Sequence, residues 1–87
     1  MKNKLSISKD CVAERLDDEL IILNLSTGMY HNLNLVGIII WEEIQRTNPS
    51  IEILIEQLQQ RFDSASIESD VQEFVNDLLM RKLITKE

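Results

Sequence analysis

The chain has 87 residues, a formal net charge of −6, one Cys and one His. A single domain over 1–87 is expected at this length, and such a domain buries only about 60% of its unfolded surface. Aromatics are scarce, so the core must come mainly from Ile, Leu and Val. The excess acid falls on residues 34–87, which carry five basic and ten acidic side chains. That balance argues against a nucleic-acid partner, whose phosphates require a positive face, and it suits a basic peptide. A lone Cys11 forms no internal disulfide, which fits a reducing compartment. The N-terminus lacks the apolar run of a signal peptide. The runs Leu20 to Leu23 and Ile38 to Trp41 are far too short to cross a bilayer. A soluble cytoplasmic protein with no membrane partner is expected.

The first third reads as β. Leu5 and Ile7 alternate with polar residues, and Cys11-Val12-Ala13 continues that strand or begins a neighbour. Leu16-Asp17-Asp18-Glu19 is a polar turn. Leu20 to Leu25 is a second strand, with Ile21, Leu23 and Leu25 on one face. Ser26-Thr27-Gly28 closes a hairpin in which Gly28 supplies a positive φ. Met29, His31 and Leu33 then alternate with Tyr30 and Asn32. Short connections of this kind predict three antiparallel strands.

Three helices follow. Asn34 caps the first, which runs to about Arg46 and is apolar on nearly every side over its early half, so it belongs at the centre. Gly37 weakens that helix by about 1 kcal/mol relative to Ala; close approach of another backbone would account for it. Asn48-Pro49-Ser50 separates the first helix from the second, where Ser50 is the cap and Ile51, Leu54, Ile55, Leu58 and Phe62 form the buried face. Ser66 caps a third helix, whose stripe is Ile67, Val71, Phe74 and Leu78, extended by Val75 and Leu79. Strands followed by helices give an α+β domain.

Catalytic chemistry has little support. Cys11 and His31 are the one conceivable nucleophile and base, but a lone Cys is ordinarily a small buried hydrophobe. The carboxylates are scattered, without metal-ligand spacing, and two glycines cannot make a phosphate loop. No enzyme activity, cofactor or metal is expected. Two features point instead to binding. Met29 to Leu33 form the last strand before the helices, and at a sheet edge their free N–H and C=O groups could pair with another chain, a peptide or a second copy in a homodimer. Asp70, Glu73 and Asp77 share one side of the third helix beside Phe74. Such a stripe is ordinarily a solvated face; next to a free edge it would rim a peptide groove.

The residues then resemble a family. Asp18-Glu19-Leu20-Ile21-Ile22-Leu23-Asn24-Leu25, followed by Thr27-Gly28-x-Tyr30-x-x-Leu33-Asn34-x-x-Gly37-x-x-x-Trp41, is similar to PqqD and its relatives, the recognition elements for ribosomally made precursor peptides. Asp70-Val71-x-x-Phe74-x-x-x-Leu78-x-x-x-x-Leu83 resembles their closing helix, and the likeness spans about residues 5–84. It implies a winged helix-turn-helix-like fold of three strands and three helices. It also implies a non-catalytic adaptor that binds a leader segment as an added strand and hands the precursor to a separate processing enzyme. Carried onto this chain, Met29, Tyr30, His31, Asn32 and Leu33 would pair with the leader, and Asp70, Glu73, Phe74 and Asp77 would line or rim its groove. The strand-turn region favours the stand-alone elements of lasso-peptide clusters, where a leader peptidase and an ATP-dependent cyclase follow. The alternatives are a PqqD-type chaperone for a radical-SAM peptide-modifying enzyme and a winged-helix DNA-binding regulator. One departure stands out. Many relatives have Gly before a closing Leu-Leu or Leu-Ile pair, where this chain has Lys82. Lys makes a left-handed helix cap less favourable there.

Overall fold

The computed structural model describes residues 3–63 and 65–87. Their chain order is β1 (Leu5–Ile7), β2 (Cys11–Leu16), β3 (Glu19–Asn24), β4 (Met29–Leu33), α1 (Leu35–Thr47), α2 (Ile51–Arg61), α3 (Ile67–Met80) and β5 (Ile84–Lys86). The predicted three-stranded antiparallel sheet is β2-β3-β4, and the three helices follow it. The strand at Leu5 does not continue into Cys11. A turn intervenes, in which the Cys11 amide donates to the Ser8 carbonyl at 3.2 Å. β1 pairs instead with β5, in the register Ser6↔Thr85 and Ile7↔Ile84. That second, two-stranded sheet joins the two ends of the chain, and short-range patterning carried no signal for it.

The β2–β3 hairpin turns through Asp17 and Asp18, with Asp17 at φ 41°, and Leu16 lies opposite Glu19. In β3, Leu20 and Ile22 enter the core while Ile21 and Leu23 face the other way. The second hairpin turns at Gly28, which has φ 75° as expected. Asn34 accepts from the Gly37 amide at 3.2 Å and caps α1, and Ser50 accepts from the Ile53 amide at 3.3 Å and caps α2. Ser66 precedes α3 without making a side-chain cap bond; its hydroxyl donates to the Asp70 carboxylate at 3.0 Å. α1 is central, burying Ile38, Ile40, Trp41 and Ile44, although Leu35 and Val36 at its start stay exposed. Leu54 and Leu58 of α2, and Val71, Val75 and Leu78 of α3, close the core with Leu5, Leu83 and Ile84.

The end of α3 has a definite form. The Leu83 amide donates to the Leu78 carbonyl at 3.0 Å and the Lys82 amide to the Leu79 carbonyl at 3.1 Å, a Schellman cap with Lys82 at φ 62°. Leu78 and Leu83, the apolar pair that accompanies such a cap, are both buried. The non-glycine residue therefore adopts the left-handed conformation because the cap and the buried pair around it enforce that turn. Lys82→Gly should raise stability by about 1 kcal/mol, since a left-handed Cβ costs about that much. In a domain of this size that shifts the thermal midpoint upward by roughly 4–8 °C, which calorimetry would register.

Candidate functional site

β4 is an edge strand, paired to β3 and to no other strand among the described residues. Which of its backbone groups are free follows from the ladder. The Leu25 amide donates to the Asp10 carbonyl at 2.8 Å, in the same register that sets Cys11 against Asn24 and Leu23 against Val12. Backbone groups alternate sides along a strand. Leu25, Leu23 and Ile21 therefore turn theirs towards β2, while Asn24, Ile22 and Leu20 turn theirs towards β4. Across the β3–β4 register, Ile22↔His31 and Leu20↔Leu33 are then the bonded pairs, and the N–H and C=O groups of Tyr30 and Asn32 point away from the sheet. Two residues thus present four free backbone groups, spaced to receive another strand.

Side chains alternate with the same period. Leu33 is buried, His31 half-buried, and both lie on the α3 side; Tyr30 and Asn32 lie on the opposite face of the sheet. A hollow of about 270 Å³ separates β4 from α3, bordered by His31, Leu33, Phe74, Asp77 and Arg81 and reached by Tyr30 and Asn32. A larger hollow of about 550 Å³ continues along α3 past Asp70, Glu73, Phe74, Asp77 and Met80. Met29 and His31 share a third, of about 300 Å³, with Met80, Arg81 and Lys82. All nine residues singled out in the sequence border one or more of these hollows, but the side chains of Tyr30 and Asn32 turn to the opposite face of the sheet.

Phe74 is half-buried and lies against α1. A Cβ at Gly37 would fall 3.0 Å from Phe74 Cζ and 3.2 Å from Leu33 Cβ. The glycine therefore admits two side chains, rather than the backbone that its position in the helix suggested. Gly37→Ala would gain about 1 kcal/mol of helix propensity against about 1–3 kcal/mol of overpacking. The flexible partner is the ring end of Phe74, so the expected result is a stability change within about 1 kcal/mol and a ring displaced into the groove. Near-ultraviolet spectra and peptide titration of the folded variant would show both.

Sequence reasoning missed Arg81, although its spacing of four from Asp77 was the available signal. Its Nε donates to Asp77 at 3.0 and 3.1 Å, and its Nη1 lies 3.2 Å from His31 Nδ1. Arginine has only donors to offer, so in this contact His31 Nδ1 can serve only as the acceptor. This bridge spans the cleft from α3 to β4. It also neutralises part of the acidic stripe, leaving Glu73 and Asp70 as the main negative charges beside Phe74. Cys11 and His31 are not brought together. They sit on β2 and β4, two strand spacings apart, roughly 10 Å. Cys11 Sγ donates to the Leu83 carbonyl at 3.6 Å, and burial pushes its pKa up, away from a reactive thiolate. Among the described residues, no three His, Cys, Asp or Glu side chains gather as a metal-binding set, and no helix is long and apolar enough to cross a membrane.

Comparison with known proteins adds two findings. The model of the family described as Coenzyme PQQ synthesis protein D (PqqD) matches residues 19–84. The solved structure of TbiB1 in complex with the TbiA(beta) leader peptide is similar at 27% sequence identity, with a TM-score of 0.78, over 91% of this chain and 93% of that one. A search among curated proteins finds no match.

Proposed function

From the premise that the chain belongs to the PqqD family, we propose that it is a non-catalytic adaptor for a precursor peptide. The leader segment of that peptide adds as a strand to β4, bonding the outward backbone groups of Tyr30 and Asn32. Its inward side chains fill the cleft between β4 and α3, against Phe74, His31 and Leu33, while Met29 extends the contact towards the turn. The observation that carries this reading is the free edge beside an open, Phe74-centred groove. The leader bound to TbiB1, a structure of the same fold, supports it.

The adaptor then delivers the precursor to a separate processing enzyme. We infer a leader peptidase of a lasso-peptide pathway, acting in the cytoplasm. Tethering the peptide while touching the enzyme makes their encounter nearly intramolecular, at an effective concentration in the millimolar range for short flexible connections. A free leader is disordered, so the preformed edge and groove supply the order that it lacks. DNA binding is disfavoured because the outer face of α3 carries Glu68, Asp70, Glu73 and Asp77, all repelled by phosphate.

The reading is tested by fluorescence anisotropy with labelled synthetic leaders of candidate precursor peptides. Saturable binding is expected, with Cys11→Ala binding and supporting processing as well as the unaltered protein. Tight, salt-sensitive binding to promoter DNA with no leader binding would overturn it. Charge has a separate consequence. Glu73→Lys should weaken a basic leader about three- to tenfold at low salt, with the difference shrinking as salt rises. Asp77→Lys should act less simply, because it also releases Arg81 into the cleft.

A further inference from the structure

The far face of the sheet holds an apolar row that the groove does not use. The registers place Val12 opposite Leu23 and Leu23 opposite Tyr30, all on the face away from α3. Val12 is 54% exposed and Tyr30 68% exposed, so the row ends uncovered at the free edge. The next row, Glu14–Ile21–Asn32, is polar at both ends.

Strand addition dictates what meets this row. A strand joining β4 must pair with the outward backbone of Tyr30 and Asn32, and the residue directly opposite each projects its side chain on the same face as Tyr30 and Asn32. Opposite side chains in adjacent strands lie about 4.5–5.5 Å apart at Cβ, and aromatic rings pair best there with β-branched or aromatic partners. The peptide is therefore read on both faces. Alternate residues enter the cleft beside Phe74, while one of the residues between them extends the row Val12–Leu23–Tyr30.

We propose that Tyr30 is a specificity-determining residue on the far face of the sheet, selecting a β-branched or aromatic side chain at the peptide position opposite it, with a polar residue two positions away opposite Asn32. This rests on the leader-binding reading and adds to it a position that the groove cannot select. Sheet geometry names the occupant: whatever strand uses this edge must place a side chain there.

The test is a set of labelled leader peptides, each with one residue replaced by Ser, titrated against the unaltered protein, Tyr30→Thr, Tyr30→Phe and Phe74→Leu. Circular dichroism confirms that each variant is folded; Thr and Phe both suit a strand, and the side chain is exposed. Tyr30→Thr should weaken the native leader about two- to fivefold, the effect expected of one cross-strand pair. Tyr30→Phe should retain affinity. One peptide position should lose its own sensitivity in Tyr30→Thr, and it should be offset by one residue from positions coupled to Phe74. Native affinity in Tyr30→Thr, or coupling of Tyr30 and Phe74 to the same peptide positions, would overturn the proposal while leaving leader binding intact. So would sedimentation showing that Tyr30→Thr dissociates a dimer of this chain without altering peptide affinity. No leader binding by the unaltered protein would overturn the adaptor reading, and this proposal with it.

Discussion

Asn24→Leu is expected to destabilise the domain by about 2–3 kcal/mol, the penalty for stranding buried polar groups. Asn24 is 1% exposed and makes three bonds from one side chain. Its Nδ2 donates to the Lys82 carbonyl at 3.1 Å, and its Oδ1 accepts from the Ser26 amide at 2.9 Å and the Thr27 amide at 3.4 Å. Leucine matches the volume but leaves that carbonyl and two amides without their partner. Asn24→Asp should be at least as damaging at neutral pH, since it keeps the acceptor for the turn but sets a carboxylate against the Lys82 carbonyl. Chemical denaturation of the three proteins would measure the order. The consequence reaches the site. Asn24 ties the β3–β4 turn to the cap of α3, and so fixes the separation of the two walls of the cleft. Peptide affinity should fall in the variants even under conditions where they remain folded.

Proline on β4 should give opposite outcomes at neighbouring residues. Asn32→Pro removes an outward N–H and leaves the bonds to β3 intact, which is the position on an edge strand where proline is tolerated. It should fold and lose at least tenfold in leader affinity, through the missing donor and the ring facing the incoming strand. His31→Pro removes an inward N–H from the pair with Ile22 and should cost about 3 kcal/mol of stability. Thermal denaturation and anisotropy measured on both variants separate the two effects. A folded Asn32→Pro that binds normally would remove β4 as the docking edge.

Much of this was legible in the sequence, for reasons that differ by element. The hairpins follow from Asp17-Asp18 and Gly28, and α1 and α2 from caps at Asn34 and Ser50, because turns and caps are local chemistry. The apolar stripe of α3 is equally local, and so was its proximity to acidic residues. What was not legible depends on distance along the chain. The β1–β5 pairing joins residues nearly the whole chain apart; the alternation at Leu5 and Ile7 marks a strand but not its partner, and β5 does not read as a strand. Asn24 looks like the one polar member of an apolar strand until its amide is seen to reach Lys82. Arg81 looks like the helix partner of Asp77 until His31 appears across the cleft. Lys82 departs from the favoured glycine, yet the turn forms, because Leu83 must return to the core opposite Leu78. The edge position of β4 was inferred from strand order, whereas the direction of its backbone groups required the full ladder.

That direction is the central claim, and amide hydrogen exchange followed by NMR tests it most directly. In the free protein the amides of Tyr30 and Asn32 should exchange rapidly, while that of His31 is protected by β3. Saturating leader peptide should slow exchange at Tyr30 and Asn32 together, as an added strand takes up both donors. Protection confined to α3, with the Tyr30 and Asn32 amides still exchanging as in the free protein, would contradict strand addition at β4.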